Sequence, residues 1–380
     1  MRASYYLNPQ TPGPDDDRRV LAEVLAQVDL AERSGFSDVW ITEHHFTGYN
    51  VYSDPITLAA AISQRNPSLR IGFAVNVVPL SHPIRFVTRC NLLDQLASGN
   101  LVVGIGPGNA PDEFAGYGVD IAARHERMAE FIAVCRRAWS AGPDGFAYAG
   151  PHYRGEVRGR IIPAPVQRPH PHIAFASSDA GRLEMAGRNG WSLLLGPVGP
   201  EVIAPRLAHY LRGLGAAAPD GRAGADGIRE RALADTSVLR QIYVAEEGED
   251  WRRTIAGPID VYVRKSAAAN AGEAGEDLSP SRFQDWRDRY LTGGWLVAGP
   301  AAEVAQRLAP LARLGIANLL CWMNFGHMED ARIRASLHRF VERVLPQLRG
   351  MEADPALLPA LLSGGDARET DFARMWRGDS

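Results

Sequence analysis

Residues Leu69–Asp120 read LRIGFAVNVVPLSHPIRFVTRCNLLDQLASGNLVVGIGPGNAPDEFAGYGVD, and the fold turns on this stretch. Two apolar, β-rich runs, Leu69–Val78 and Leu101–Ile105, flank a segment of helical periodicity from Pro83 to Leu96. Parallel strands lying side by side need a crossover between them, and a helix is the usual one, so the stretch is a βαβ unit. The residues after each strand carry the chemistry: Asn76-Val77-Val78-Pro79 after the first and Gly106-Pro107-Gly108-Asn109 after the second. Glycine at such a point lets backbone come close to a ligand at the carboxyl end of a parallel strand, where α/β sites lie.

Outward from this unit the alternation continues. Ser4–Leu7 predicts a first strand, Pro14–Ser34 a helix opened by acids, Val39–Thr42 a second strand, and Asp54–Ser63 a capped helix. Met128, Phe131, Ile132, Cys135 and Trp139 form the apolar face of a helix over Arg124–Trp139. Ala141–Pro171, rich in Gly and Pro, reads as a long excursion at a barrel mouth with room for short strands. His172–Ala176, Trp191–Leu195, Val238–Val244 and Asn318–Trp322 bring the strands to eight. Helices are expected from Ser177, over Glu201–Leu214, Pro300–Leu314 and Ala331–Leu345, with a short one near Glu249–Ile255 and a polar loop over Pro219–Gly227. The pattern predicts an α/β chain folded as a (β/α)8 TIM barrel with loop insertions. A single domain is expected over residues 1–348, with a C-terminal extension over 349–380.

The chain has 380 residues, 46% hydrophobic and 22% charged, which describes an ordinary globular protein with an ample core. A net charge of −3 gives no reason to expect nucleic acid or an anionic membrane as partner. Cys90, Cys135 and Cys321 are odd in number and far apart, which suits a reducing compartment and packing roles. With no apolar signal core and no run of membrane-spanning length, a cytoplasmic location is expected.

The pieces Ile71-Gly72…Ala74-Val75, Pro79, His82-Pro83-Ile84-Arg85, Asn91-Leu92-Leu93-Asp94-Gln95, Gly104-Ile105, Gly108, Phe114 and Tyr117-Gly118-Val119-Asp120 carry a family likeness, as does Glu43-His44-His45-Phe46-Thr47 upstream. Together they resemble the catalytic subunit of bacterial luciferase and the wider luciferase-like, flavin-dependent monooxygenases. The similarity runs from Met1 to about Leu348 and is densest over Ser34–Asp120. It implies an enzyme using reduced FMN delivered by a separate flavin reductase. Oxygen would add at the flavin C4a to give a peroxide, which passes one atom from O2 to a small organic substrate. A homodimer, with no metal, nucleic acid or membrane partner, is the expected form.

The same resemblance assigns residues. His44 and His45 end an extended strand, so their side chains take opposite faces and only one enters a pocket. Taken alone they read as hydrogen-bonded loop histidines; the resemblance makes His44 the group that faces the flavin and moves or holds a proton. Glu43 is expected to orient a neighbour or pair with an Arg. The flavin ring would lie against Ala74, Val75, Asn76, Gly106 and Gly108, with Ala74–Val75 a non-proline cis peptide. Hydroxyls and N–H groups at the helix start Ser177-Ser178-Asp179-Ala180-Gly181-Arg182 suit a phosphate, although a plain Ser N-cap explains them too. The family's Ala-x-Ser phosphate loop matches Ala176 and Ser178, which implies phosphate contacts from Ser177, Ser178, Gly181 and Arg182. Arg124 lies within a residue of the family's second phosphate-binding Arg. Gly106 and Pro107 stand where luciferase carries a Cys and then an Arg, which sets light emission itself in doubt.

Rival chemistries find little support. There is no G-x-S-x-G elbow, H-E-x-x-H, P-loop or C-x-x-C, and Gly104–Gly108 does not open a helix in the register of a dinucleotide fingerprint. Two alternatives stay open: an F420-dependent hydride-transfer oxidoreductase of the same barrel superfamily, and a non-catalytic flavin-binding subunit. Arg264–Gly294 begins with small and acidic residues and ends with Phe283, Trp286 and Tyr290, followed by Trp295. It is expected to be a mobile lid that closes over reduced flavin.

Overall fold

The computed structural model describes residues 1–216, 225–271, 290 and 294–363. Eight parallel strands close on themselves in chain order: β1 (Arg2–Leu7), β2 (Asp38–Ile41), β3 (Arg70–Phe73), β4 (Leu101–Gly106), β5 (His172–Ala176), β6 (Ser192–Leu195), β7 (Ser237–Val244) and β8 (Asn318–Trp322). Closure is made by β1 on β8, where Tyr5 pairs with Cys321, and by β7 between β6 and β8. One crossover helix follows each strand: α1 (Asp17–Arg33), α2 (Pro55–Arg65), α3 (Pro83–Leu96), α4 (Arg124–Ser140), α5 (Ala180–Arg188), α6 (Pro200–Ala216), α7 (Ala301–Arg313) and α8 (Asp330–Arg339). This is the expected (β/α)8 barrel. Among the described residues no helix is long and apolar enough to cross a membrane.

The helix boundaries follow from local chemistry. Pro83 and Pro55 open α3 and α2 at first-turn positions where a missing N–H costs nothing. The Asp54 carboxylate accepts from the N–H groups of Ile56 and Thr57 and so caps α2. In the core, Trp40 of β2 is fully buried and lies over Gly72 of β3, its register partner; any side chain at 72 would collide with the indole.

Several local expectations are corrected. Leu69–Val78 is not one strand: β3 stops at Phe73, the Ala74–Val75 bond is cis, and Asn76–Val77 re-forms a short pairing with β4. The short helix near Glu249–Ile255 runs from Trp251 to Ala271, with Pro258 inside it, so the beginning of the expected lid is helical. The rest of that lid, residues 272–289 and 291–293, lies outside the described residues, as does part of the expected loop at Pro219–Gly227. A further strand, Leu296–Gly299, pairs with the outer half of β7, and the excursion after α4 contains an antiparallel hairpin, Phe146–Ala149 with Arg154–Val157. Past the barrel, Asp354 N–H bonds to the Arg313 carbonyl and a short helix, Leu357–Leu362, follows.

The amino ends of the strands are closed by a polar plate. Arg70 donates from Nε and Nη2 to Asp38 and from Nη1 and Nη2 to Asp235, at 2.6–3.1 Å, and Arg2 adds a second cation to Asp235. Ser4 donates to Asp38, and Asn318 donates to Ser237. His172 is buried beside them, its Nε2 2.7 Å from the Ser192 hydroxyl. Burial, reinforced by the Arg231 charge, lowers the His172 imidazole to about 4. An imidazole harder to protonate in the fold than in the open chain leaves stability intact above pH about 6.5 and removes it as pH falls toward about 4. The slope approaches 1.4 kcal/mol per pH unit, on the order of one pKa unit's worth of energy. Urea midpoints measured between neutral pH and the acid end of that window should fall less for His172→Gln than for the parent chain.

Candidate active site

The carboxyl ends of the barrel strands open into a cavity of about 330 Å³. Its lining divides into two sides. Ala74, Val75, Gly108, Ala176 and the turn Leu194–Pro197 form a small, aliphatic side, while Tyr6, His44, Tyr49, Tyr262, Ser266 and Trp322 form an aromatic, hydroxyl-bearing one. Tyr262 and Ser266 come from the Trp251–Ala271 helix, which the sequence reading shortened.

His44 is the imidazole of the aromatic side. Its Nδ1 lies 2.9 Å from Oε1 of Glu113, a residue of the short helix Pro111–Gly116 that is almost fully buried. The same oxygen accepts the His45 backbone N–H at 3.0 Å, which fixes the carboxylate in place. A carboxylate acceptor puts the proton of neutral His44 on Nδ1 and leaves Nε2 to exchange a proton. The Tyr49 ring stands edge-on to the imidazole at 4.6 Å. Glu113 was not singled out from the sequence, because an acid in a helix's first turn usually reads as dipole compensation.

Although β2 stops at Ile41, so that both histidines follow the strand rather than end it as expected, His45 still turns away from His44. It lines a separate outer cleft of about 290 Å³ between α2 and α3, with Asp54, Arg85, Arg89 and Tyr117. Its Nε2 meets Glu43 at 3.0 Å, and the second Glu43 oxygen accepts the Val77 N–H at 2.7 Å. Glu43 therefore orients a neighbour, as expected, and also clamps the backbone just past the cis bond. It borders both cavities.

The remaining expected cofactor residues are placed unevenly. Ala74, Val75 and Gly108 reach the cavity; Gly108 has φ +70°, and a Cβ there would stand 2.5 Å from Val77. Gly106 does not line it, and its lack of a side chain answers to Val75, 2.7 Å from where a Cβ would be. Asn76 turns away, donating to the Gly104 carbonyl and bordering the outer cleft. Ser177, Ser178, Gly181 and Arg182 sit at the rim beyond Ala176. The α5 cap is Asp179 rather than a serine: its carboxylate accepts the Arg182 N–H at 2.9 Å, and the Ser177 hydroxyl accepts from Asp179 N–H. Arg124 donates to the Ile121 carbonyl. His125, missed in the sequence, has its imidazole pushed down by partial burial and by the charges of Arg182 and Arg124, with Asp179 acting the other way. Its Nδ1 is buried without a partner among the described residues. Two arginine charges that reach one imidazole give this part of the rim a character suited to an anion, partly offset by Asp179.

A parallel barrel with a buried carboxylate–imidazole pair and a set of small residues lining one cavity at its carboxyl mouth is the architecture of a barrel enzyme. The family model described as luciferase-like monooxygenase matches residues 1–318, and the chain belongs to that family. Among curated relatives, it is 22% identical over 369 residues to the oxygenase component of flavin-dependent trigonelline monooxygenase from Acinetobacter baylyi, covering 93% of this chain and 97% of that one. Among solved structures, monooxygenase RslO1 from Streptomyces bottropensis superposes with a TM-score of 0.77 at 23% identity, over 91% of this chain and 99% of that one. An F420-dependent secondary alcohol dehydrogenase reaches 0.70 at 16% identity, over 92% and 99%.

Proposed function

We propose that the chain is the oxygenase component of a two-component monooxygenase that takes reduced FMN from a separate reductase and oxidises a small organic substrate with O2. The observation that carries this reading is the His44–Glu113 pair sharing one cavity with the small residues at Ala74–Val75. The small wall accepts a flavin ring, Ala74, Val75 and Gly108 offering backbone and little bulk, while Arg124, His125 and Arg182 take the phosphate. When bound, reduced flavin supplies the electrons that activate oxygen. Glu113 holds the His44 ring and its tautomer; His44 holds or passes a proton at Nε2; the aromatic wall excludes water from the reacting atoms. A subunit that only bound flavin would have no use for a buried carboxylate aimed at an imidazole in the cavity.

Anaerobic titration with reduced FMN and, separately, reduced F420 tests the reading: FMN is expected to bind tighter, and tighter F420 binding would replace oxygenation with hydride transfer. Phosphate recognition has its own check. Arg182→Ala and Arg124→Ala should each weaken FMN binding by about tenfold, the worth of one charge-assisted bond, and leave riboflavin binding nearly unchanged. Equal losses for FMN and riboflavin would move the phosphate elsewhere.

A further inference from the structure

The aromatic side of the cavity is continuous. Tyr49 and Tyr262 ring centres are 5.8 Å apart, Tyr262 and Trp322 are 5.0 Å, and Trp322 and Tyr6 are 5.7 Å, so four aromatic residues form an unbroken arc along the cavity. Their hydroxyls are largely spent within the protein: Tyr49 donates to Tyr262 at 3.0 Å, and Tyr6 donates to the Ala74 carbonyl at 3.3 Å. What the arc offers a ligand is therefore ring surface, together with the indole N–H of Trp322, which has no hydrogen-bond partner among the described residues. Offset or edge-on contact with such surface favours another aromatic ring beyond the area it buries.

The charge of the cavity points the same way. Its described lining contains the carboxyls of Glu43 and Glu113 and contains no Lys or Arg. The cationic groups near the mouth lie outside that lining: Arg124 and Arg182 follow the fourth and fifth strands, and Lys265, beside Ser266, donates to the Thr47 carbonyl. An anionic substrate entering the inner space would be desolvated beside two acids with no cation to receive it, a costly arrangement.

We infer that this cavity takes an uncharged aromatic substrate, a phenol or an aryl ketone, stacked on the arc Tyr49–Tyr262–Trp322 with its reacting edge turned to His44, and that it discriminates against carboxylates and linear aliphatic chains. The inference rests on the monooxygenase reading for the place of the flavin, but not for the choice of ligand. It differs from what the names of the relatives state: one acts on trigonelline, others on limonene or alkanals.

Isothermal titration of the full chain at neutral pH with 1-naphthol, 1-naphthoate and decan-1-ol decides. Naphthol is expected to bind at least about tenfold tighter than either of the others, the energy of one good ring contact or of one unpaired charge. Tyr262→Leu should cost naphthol most of that advantage, and Tyr262→Phe, which keeps the ring, should restore it. Naphthoate or decanol binding as tightly as naphthol, or no naphthol binding at all, would overturn the inference, and the wild-type ranking alone suffices if the Leu variant fails to fold. Titrating FMN into the same samples separates the two conclusions: loss of FMN binding sinks the monooxygenase reading, while the probe ranking still judges the substrate class.

Discussion

His44→Ala is expected to lower product formation by about 10²–10⁴-fold, the usual contribution of a positioned acid–base group, while FMN binds as before. The physical reason is that FMN is assigned to the small residues and the rim, whereas His44 is held through Nδ1 by Glu113 with its Nε2 free among the described residues. Glu113→Gln supplies the graded companion. An amide at 113 can still meet Nδ1, but it no longer obliges that nitrogen to carry the proton, so the wrong tautomer gains population. Turnover should fall less than in His44→Ala, and its pH profile should shift. Reduced-flavin turnover assays, paired with FMN titration, check both; unchanged turnover in His44→Ala would remove the residue from the chemistry.

The second large effect lies at the opposite end of the barrel. Arg70→Met should destabilise the fold by about 3–5 kcal/mol, because removing one partner of a buried ion pair leaves the other charge uncompensated. Here two buried charges lose a partner at once, Asp38 and Asp235, each at most 3% exposed, and Arg2 is the cation left to meet both. Burial alone would raise the Asp235 carboxyl; Arg70, with Arg2, instead holds it at about 2. That support is present above the ordinary carboxylate range and is lost as pH falls from about 4 toward 2, a window below the one governed by His172. Chemical denaturation of Arg70→Met at neutral pH reads the loss directly, and a change under about 1 kcal/mol, typical of a surface pair, would show that the plate is not structural.

The barrel was legible because strand and helix alternate with clear periods, and because α3 carries its own punctuation: Pro83 at its start and Leu96 at its end coincide with the expected bounds. The plate was not. Arg2, Asp38, Arg70, His172 and Asp235 are scattered through the sequence and meet only when the strands align. The Trp251–Ala271 helix was hidden by Pro258 and by the alanines after it, although Ile255, Ile259, Tyr262 and Val263 are spaced for one buried helical face. With that helix shortened, the places of Tyr262 and Ser266 in the aromatic wall could not be foreseen. The cis bond at Ala74–Val75 was accessible only through family resemblance, since neither residue type asks for it. Glu113 needed three dimensions, because only the fold brings it beneath a histidine 69 residues earlier in the chain.

Tyr262 and Ser266 are borne by a helix inserted between β7 and its crossover α7, whereas Ala74, Val75 and Gly108 sit in the barrel's own third and fourth turns. This part of the aromatic side therefore has a mutational fate of its own. Changes along one face of Trp251–Ala271 can rewrite what is recognised without disturbing the walls assigned to the cofactor or the plate that keeps the barrel shut. A lineage built this way can shop among substrates cheaply, and a designer can do the same by grafting that single helix between related barrels.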